Sequence, residues 1–484
     1  MFRRLILATA LAALTTPAFA DTLKVPQDFE TIQAAVDAAA EDDTIAISSG
    51  QYTENVVVPP AKDGLTITGK GKVFINAQGV PDDDGGGAGD GIEIQSNNVT
   101  VSKLTIRHAN DAGIRAGLVT EDGPPPPLTG ITIDKVVIIN SNNAGIDLVA
   151  DDCTVKSCTL FGNGDGLQND GDNASVTKTR VSNDCDAGID IEGDDALVDG
   201  CTVSTIEDGG GVDISGERAT VKKCNVSIVD GDGISIDSGS GHLVESNRVE
   251  TTDSSGIDVD GDNSVVQKNA VDSPCSSGID VYGSGLVVAS NTVTNVPDDE
   301  DGIYVDGPGA PEKDGGGSGG SVGSTIEKNK VIGAQEDGYN LSVADSTISK
   351  NLAQACSGED EDGFNIEGNG NTIEKNTAKG CDDTGFEIRG DDNLILKNKS
   401  SDNTDNGIFI SGVDSTANVL EGNNVSNNFG DGIQNQGTGT VIRKNKLKGN
   451  MQDLSNETLN GANYVDDGGN NFSTGGLDAE PIVD

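Results

Sequence analysis

The sequence is poor in the side chains that usually fill a compact globular core. It contains no tryptophan, and aromatic residues make up 3% of its 484 positions. It also has only two histidines and two methionines, a poor supply of ligands for handling copper. A core of this composition must be built from Ile, Val and Ala, which is typical of solenoids whose repeats stack on one another.

Positive charge and long apolar runs are scarce as well. The formal net charge is −49, so we expect no nucleic-acid partner and repulsion from anionic membranes. Residues 1–20 combine two arginines, a short apolar run and Ala18-Phe19-Ala20, which predicts a secretory signal peptide cleaved before Asp21. Because this run is too short for a comfortable membrane anchor, we expect a secreted, periplasmic or cell-surface protein with no membrane contact after cleavage.

A glycine-led unit recurs through most of the chain. Twelve of the fourteen gaps between successive leading glycines measure 21 to 25 residues, and such a fixed period indicates a repeat architecture. Each glycine is followed by an apolar, a polar and an apolar residue, as in Ile257, Asp258 and Val259, which is the alternation of a β-strand. The leading glycines are Gly91, Gly113, Gly145, Gly166, Gly188, Gly211, Gly233, Gly256, Gly278, Gly302, Gly338, Gly363, Gly385, Gly407 and Gly432.

An asparagine ends a second short strand in many of these units. A buried amide is costly unless it is paired, and asparagines stacked at one bend can bond to each other and to the backbone. The recurrence therefore predicts an asparagine ladder, although each residue alone is also typical of a turn. Its members are Asn247, Asn269, Asn291, Asn329, Asn351, Asn376, Asn398, Asn423 and Asn445.

These repeats resemble the right-handed parallel β-helix proteins of the pectate-lyase-like superfamily. The resemblance implies an all-β, single-stranded solenoid of about 15 or more coils over residues 81–450. Residues 21–80 predict an N-terminal cap and the first coils, with a helix around Ile32 that has Asp28 as its N-cap. Residues 451–484 predict a C-terminal cap or tail.

The chain departs from the enzymes of that superfamily in its motifs. The R-x-P-x-x-R motif of pectate lyases and the D-P-H motif of alginate epimerases are absent, and His242 stands in S-G-H-L where polygalacturonases have G-H-G. We therefore assign no catalytic residue from the sequence. A polysaccharide lyase, hydrolase or epimerase with unfamiliar catalytic residues remains an alternative.

The outward residues of the glycine-led strands predict an acidic face. Stacked coils place like charges about 4.8 Å apart, and such charges repel unless a cation bridges them. Oxygen-only ligands suit Ca²⁺, which we take as the predicted cofactor. The alternative is a solvated acidic surface. The predicted metal ligands are Asp190, Asp213, Asp258, Asp260 and Asp280.

Two tyrosines on adjacent coils lie within this face. Flat rings on a sheet can stack on sugar rings, and carboxylates can accept hydrogen bonds from sugar hydroxyls. The sequence therefore predicts that an extracellular or cell-surface glycan is the partner, although ordinary strand aromatics would give the same pattern. The predicted carbohydrate-binding residues are Tyr282, Tyr304, Asp280 and Asp306.

Cysteine positions fit an exported protein. Cys356 and Cys381 share one phase on adjacent coils, and Cys201 and Cys224 share another, within the reach of a disulfide bond. We predict both bonds, with small-hydrophobe packing as the alternative for the second pair. Taken together, the sequence predicts an exported, non-catalytic β-helix that binds carbohydrate, calcium or both. A purely structural surface rod is a further alternative.

Overall fold

A computed structural model of the chain describes residues 20–78, 89–117, 127–184, 186–297, 300–308, 320–358, 361–412, 414–456 and 464–473. Apart from Ala20, the predicted signal peptide lies outside this range, and so do most residues of two insertions between coils, a proline-rich one at 121–127 and a glycine-rich one at 308–321. Within the part that is described, no helix is long and apolar enough to cross a membrane.

A typical coil contributes one short strand to each of three parallel sheets. In one coil these are Ile257–Asp260 in the first sheet, Val265–Gln267 in the second and Ala270–Pro274 in the third. Equivalent residues of successive coils pair in register, as Ile257 does with Ile279. About 19 turns stack in this way. The predicted right-handed parallel β-helix is therefore confirmed.

The described strands group by sheet. The first sheet contains Val56–Val58, Ile92–Ile94, Ile114–Ala116, Ile146–Leu148, Leu167–Asn169, Ile189–Glu192, Val212–Ser215, Ile234–Ile236, Ile257–Asp260, Ile279–Tyr282, Ile303–Asp306, Tyr339–Ala344, Phe364–Glu367, Phe386–Arg389, Ile408–Ser411, Ile433–Asn435 and Leu454–Asn456. The second contains Thr22–Val25, Thr44–Tyr52, Thr66–Asn76, Thr100–Ser102, Thr132–Asp134, Thr154–Lys156, Ser175–Thr177, Leu197–Asp199, Thr220–Lys222, Leu243–Glu245, Val265–Gln267, Val287–Ala289, Thr325–Glu327, Thr347–Ser349, Thr372–Glu374, Leu394–Leu396, Val419–Glu421, Thr440–Arg443 and Tyr464–Asp466. The third contains Thr105–Arg107, Val137–Ile139, Thr159–Phe161, Arg180–Asp184, Thr202–Ile206, Asn225–Val229, Arg248–Thr252, Ala270–Pro274, Thr292–Val296, Lys330–Ala334, Leu352–Gln354, Thr377–Lys379, Lys399–Ser401, Asn424–Ser426, Lys446–Lys448 and Asn471–Phe472.

Three further strands lie beside the main columns, and two strands span two columns. Leu128–Thr129 pairs with Ala150–Asp151, and Ser321–Val322 pairs with the end of Tyr339–Ala344. The long strands Thr44–Tyr52 and Thr66–Asn76 run on from the second sheet into the third, where the second of them pairs with Thr105–Arg107.

The leading glycines are required by close packing across the solenoid. A Cβ on Gly256 would lie 2.3 Å from Val271 Cγ1 and 2.7 Å from the carbonyl oxygen of Gly278. Equivalent clashes recur at Gly278, where Val293 and Gly302 are the obstacles. Any side chain here would have to push the first sheet away from the third, so the repeat period follows from sterics rather than from backbone conformation.

The predicted asparagine ladder is present between the second and third sheets. The backbone N–H of Asn269 and its side-chain Nδ2 both donate to Asn291 Oδ1, over 2.9 and 3.2 Å, and Nδ2 also donates to the carbonyl of Val244 at 2.9 Å. The same pattern links successive members as far as Asn470. Each buried amide is therefore hydrogen-bonded, which fixes the register of neighbouring coils.

A single α-helix in the described residues covers the start of the solenoid. It spans Ile32–Ala38, in the place predicted, and buries Ile32, Ala35 and Val36. Its N-cap is Thr31, not Asp28 as predicted, because Thr31 Oγ1 accepts from the N–H of Ala34 at 3.1 Å. The Asp28 carboxylate accepts from the backbone N–H of Lys24 instead.

Candidate functional site

The acidic face of the sequence analysis is the outer side of the first sheet. Its outward residues stack in register, with Asp190 beside Asp213 and Asp258 beside Asp280. Ser235 stands between Asp213 and Asp258. The five predicted metal ligands therefore fall into two groups, one of two residues and one of three, rather than a single cluster.

Burial and mutual repulsion disfavour charge on these carboxyl groups. Burial, followed by the neighbouring charge of Asp190, raises the pKa of Asp213 to about 7, and burial with Asp280 does the same for Asp258. Burial also raises the pKa values of Asp190 and Asp280 to about 6. It raises the pKa of Asp260 as well. Part of this face therefore carries protons near neutral pH.

The structure gives no preformed metal centre in these groups. Among the residues described, no set of three or more His, Cys, Asp or Glu side chains is arranged so that it could hold a metal ion. Stacked carboxylates spread along the face instead of converging on one point. Calcium binding by these aspartates stays a prediction.

A concavity on the first sheet, here called the deep groove, has a volume of about 360 Å³. It crosses four successive coils, at the point where the chain turns into the strands of the first sheet. The residues that line it are Ser276, Ser277, Asp280, Glu300, Asp301, Tyr304, Glu336, Asn340, Ser342, Asn365 and Glu367.

A second, smaller depression adjoins the deep groove. It has a volume of about 280 Å³ and is lined by Asp258, Asp260, Asp280, Val281, Tyr282 and Tyr304. Asp280 and Tyr304 line both concavities, so together they form one elongated surface across the outer side of the first sheet.

The structure brings the four predicted carbohydrate-binding residues together around this surface. Tyr304 pairs in register with Asp280 and donates its hydroxyl hydrogen to Asp306 Oδ2 at 3.1 Å. Burial and the charge of Asp306 raise the pKa of Tyr304, so its hydroxyl stays protonated. Tyr282 lies one coil before Asp306 in the next outward column and is 43% exposed. Carbohydrate binding by these residues stays a prediction.

Sequence reasoning missed a column of aspartates that precede the leading glycines. In this column Asp337 Oδ1 accepts from the N–H of Asp362 at 2.8 Å, and Asp362 Oδ1 accepts from the N–H of Thr384 at 3.0 Å. Burial raises the pKa of Asp337 to about 7 and those of Asp301 and Asp362 well above the usual range. The recurrent Asp-Gly pair was the available signal.

Asp301 departs from the pattern of its column. Its Oδ2 accepts from Asn340 Nδ2 at 3.0 Å, while its Oδ1 is buried without a hydrogen-bond partner. The whole residue is 6% exposed and lines the deep groove. An unpartnered buried acceptor is uncommon in native proteins and costs free energy, so Asp301 is the residue of this site that most needs a functional explanation.

The two predicted disulfide bonds are not present in the structure. Cys201, Cys224, Cys356 and Cys381 are buried thiols. The members of each pair nevertheless contact each other through their side chains, and this contact, together with burial, raises the pKa of Cys201 and of Cys356. The register that the prediction required is therefore present, and oxidation of either pair stays a prediction.

Several solved structures of enzymes resemble this chain distantly. The catalytic domain of a GH87 alpha-1,3-glucanase is 12% identical, with a TM-score of 0.43 over 67% of this chain and 66% of that chain. The A-module of the Azotobacter vinelandii mannuronan C-5 epimerase AlgE6 is 15% identical, with a TM-score of 0.43 over 70% and 93%. A DFA-IIIase from Arthrobacter chlorophenolicus A6 is 13% identical, with a TM-score of 0.38 over 69% and 94%.

At these identities and TM-scores the likeness carries no argument about this chain, and no substrate is transferred from those enzymes. No curated protein sequence matches the chain significantly. Residues 165–312 and 314–475, more than half of the sequence, match the family described as Right handed beta helix region, and the chain belongs to that family.

Proposed function

We propose that this chain binds a carbohydrate polymer on the outer side of the first sheet, along the deep groove and the adjoining depression. The observation that carries the proposal is the elongated concavity in which two tyrosines stand among carboxyl and amide groups. Rings of this kind offer an apolar face to a sugar, and the polar groups around them accept and donate hydrogen bonds to its hydroxyls.

The dimensions of the surface favour an extended ligand. The deep groove draws its residues from four coils, which span roughly 14 Å along the solenoid axis at about 4.8 Å per coil. A chain of sugars that follows the axis would contact equivalent positions of successive coils. Because the sheet beneath is held by the core and the asparagine ladder, the surface is already ordered before a ligand arrives.

The proposal is tested by affinity electrophoresis and a glycan array with tyrosine variants. We expect Tyr304→Ala and Tyr282→Ala each to weaken glycan retention roughly tenfold. Phe161→Ala is the matched control, since Phe161 is 43% exposed on the third sheet, as exposed as Tyr282. Wild-type protein that retains no glycan, or tyrosine variants that bind as well as the control, would overturn the proposal.

Glycoside cleavage is the second candidate function. The pKa of Asp280 lies at about 6 because of burial, and other carboxyl groups line the same groove. A protonated carboxyl beside an ionised one is what acid-assisted hydrolysis of a glycosidic bond needs. Release of new reducing ends from a bound polysaccharide, lost in Asp280→Asn, supports this candidate, and retention without release supports binding alone.

The proposed role includes export of the protein. The support is the composition of residues 1–20, which combine two arginines, a short apolar run and Ala18-Phe19-Ala20. Sequencing the N terminus of protein recovered from outside the cytoplasm tests this, with Asp21 expected as the first residue. Full-length protein confined to the cytoplasm would contradict it.

A further inference from the structure

The lining of the deep groove is strongly acidic. Five carboxyl groups line it, and none of its eleven lining residues, all in the described part of the chain, is Lys, Arg or His. At one end Arg389 forms an ion pair with Glu367 over 2.9 Å. The other carboxyl groups are those of Asp280, Glu300, Asp301 and Glu336. Such a surface attracts positive charge and repels negative charge.

Asp301 does not accept the backbone hydrogen bond that other aspartates of its column accept. Aspartates at this position accept from the N–H of the residue one coil later, as Asp232 does from Ser255 at 2.7 Å. The equivalent bond from Asp301 is replaced by one from the Asn340 side chain. Its Oδ1 is left buried and unpartnered. Burial, followed by the charges of Asp337 and Glu336, raises the pKa of Asp301 well above its usual range, so the empty groove favours a proton on this carboxyl group. One positively charged hydrogen-bond donor would take the place of that proton, satisfy the acceptor and offset the repulsion between the carboxyl groups.

We propose that the deep groove binds a polymer of amino sugars, with a protonated amine of one sugar donating to Oδ1 of Asp301. The inference rests on the proposed carbohydrate-binding function and specifies its substrate class. The ammonium group enters the groove among the carboxyl groups, and the sugar ring that bears it packs on Tyr304, which lines the same groove. Sugar hydroxyls meet the amides of Asn340 and Asn365.

Other glycan classes fit the groove less well. A uronic acid polymer would bring carboxylates against carboxylates, and bridging cations would then be required. Among the residues described, no group of side chains is arranged to hold such a cation. A neutral glycan would leave Asp301 Oδ1 without a charged partner. An ammonium group is the common sugar substituent that both complements the negative charge of the groove and donates a hydrogen bond to the unpartnered acceptor.

The first experiment compares three probes by isothermal titration calorimetry. These are oligomers of glucosamine, the same oligomers fully N-acetylated, and oligogalacturonate with and without calcium. We expect the glucosamine oligomers to bind roughly ten- to hundredfold more tightly than the N-acetylated ones, since a hydrogen bond between charged groups is exchanged for a neutral one. Their affinity should fall as salt is raised, because the attraction is between charges.

The second experiment removes the ability of Asp301 to ionise. Asp301→Asn keeps the shape of the side chain and should abolish most of the preference for glucosamine over N-acetylglucosamine oligomers. The matched control is Asp402→Asn, which makes the same change at an exposed residue outside the groove, in a left-handed conformation (φ 61°) that asparagine tolerates. Circular dichroism confirms that both variants remain folded. If Asp301→Asn disturbs the fold, Glu300→Gln at the same groove replaces it.

The possible outcomes distinguish a failure of the carbohydrate-binding function from a failure of the amino-sugar assignment alone. Protein that binds none of the probes, nor any glycan of the array, overturns the carbohydrate-binding function and this inference with it. Binding of neutral oligomers, or of oligogalacturonate through calcium, without a preference for glucosamine oligomers overturns only the amino-sugar assignment. A preference that survives Asp301→Asn as fully as Asp402→Asn overturns the role of Asp301.

Discussion

Removing one member of the asparagine ladder should loosen the coil that carries the deep groove. Asn329 Oδ1 accepts from the N–H of Asn291 at 2.9 Å, and its Nδ2 donates to the carbonyl of Val288 at 2.7 Å. Asn329→Ala leaves the buried N–H of Asn291 without its acceptor, at about 1–3 kcal/mol, and loses a further bond worth about 1 kcal/mol. We therefore expect a loss of about 2–4 kcal/mol of local stability.

Hydrogen exchange measured by mass spectrometry is the appropriate assay, because long solenoids do not unfold in a single cooperative step. Peptides that cover 286–296 and 325–334 should exchange roughly 30- to 800-fold faster in Asn329→Ala than in wild type. The control is Asn424→Ala, where an exposed asparagine on the third sheet makes no such contacts and should change stability by about 0.5 kcal/mol or less. Equal protection in the two variants would refute the ladder as the source of register.

The remaining predictions concern the acidic face and the cysteines. Burial raises the pKa of Asp337 to about 7. The folded protein therefore binds a proton at this residue more tightly than the unfolded protein does, and the free energy of unfolding should fall as pH rises from about 4 to 7. The melting temperature should fall over the same range, and its pH profile should be flatter in Asp337→Asn. Calcium titrated by calorimetry should release less heat with Asp258→Asn/Asp280→Asn, and equal heats would reject that site. Mild oxidation should join Cys356 to Cys381, seen as a loss of a hydrogen pair by mass spectrometry, and persistent free thiols would reject the bond.

Much of the first sheet could be predicted from the sequence because one local pattern repeats. Once leading glycines are aligned, Asp280, Tyr304 and Asn340 must occupy the same outward column, and the structure pairs them in register. The prediction needed no knowledge of the distance between coils beyond the spacing of β-strands. The identity of the helix N-cap was wrong because Asp28 and Thr31 are both good caps by residue type and only the backbone path distinguishes them.

The deep groove could not be predicted from the sequence. Asp301, Asp337 and Asp362 share a position in the repeat, yet two of them accept backbone N–H groups while Asp301 Oδ1 has no partner. Their sequence contexts, each an Asp before a leading glycine, do not distinguish them. The difference is one of side-chain orientation, which depends on the Asn340 amide one coil later.

The sequence by itself determined the solenoid, the direction in which each side chain of the repeat points, and the ladder that holds the coils in register. These follow from period, alternation and the cost of an unpaired buried amide, all of which are local or repeat with the chain. Only the tertiary structure decided where the acidic face becomes concave and which carboxyl group is left without a partner. Those features depend on how coils of unequal length stack, and burial and repulsion between neighbours in space then set the charge that each carboxyl group can carry.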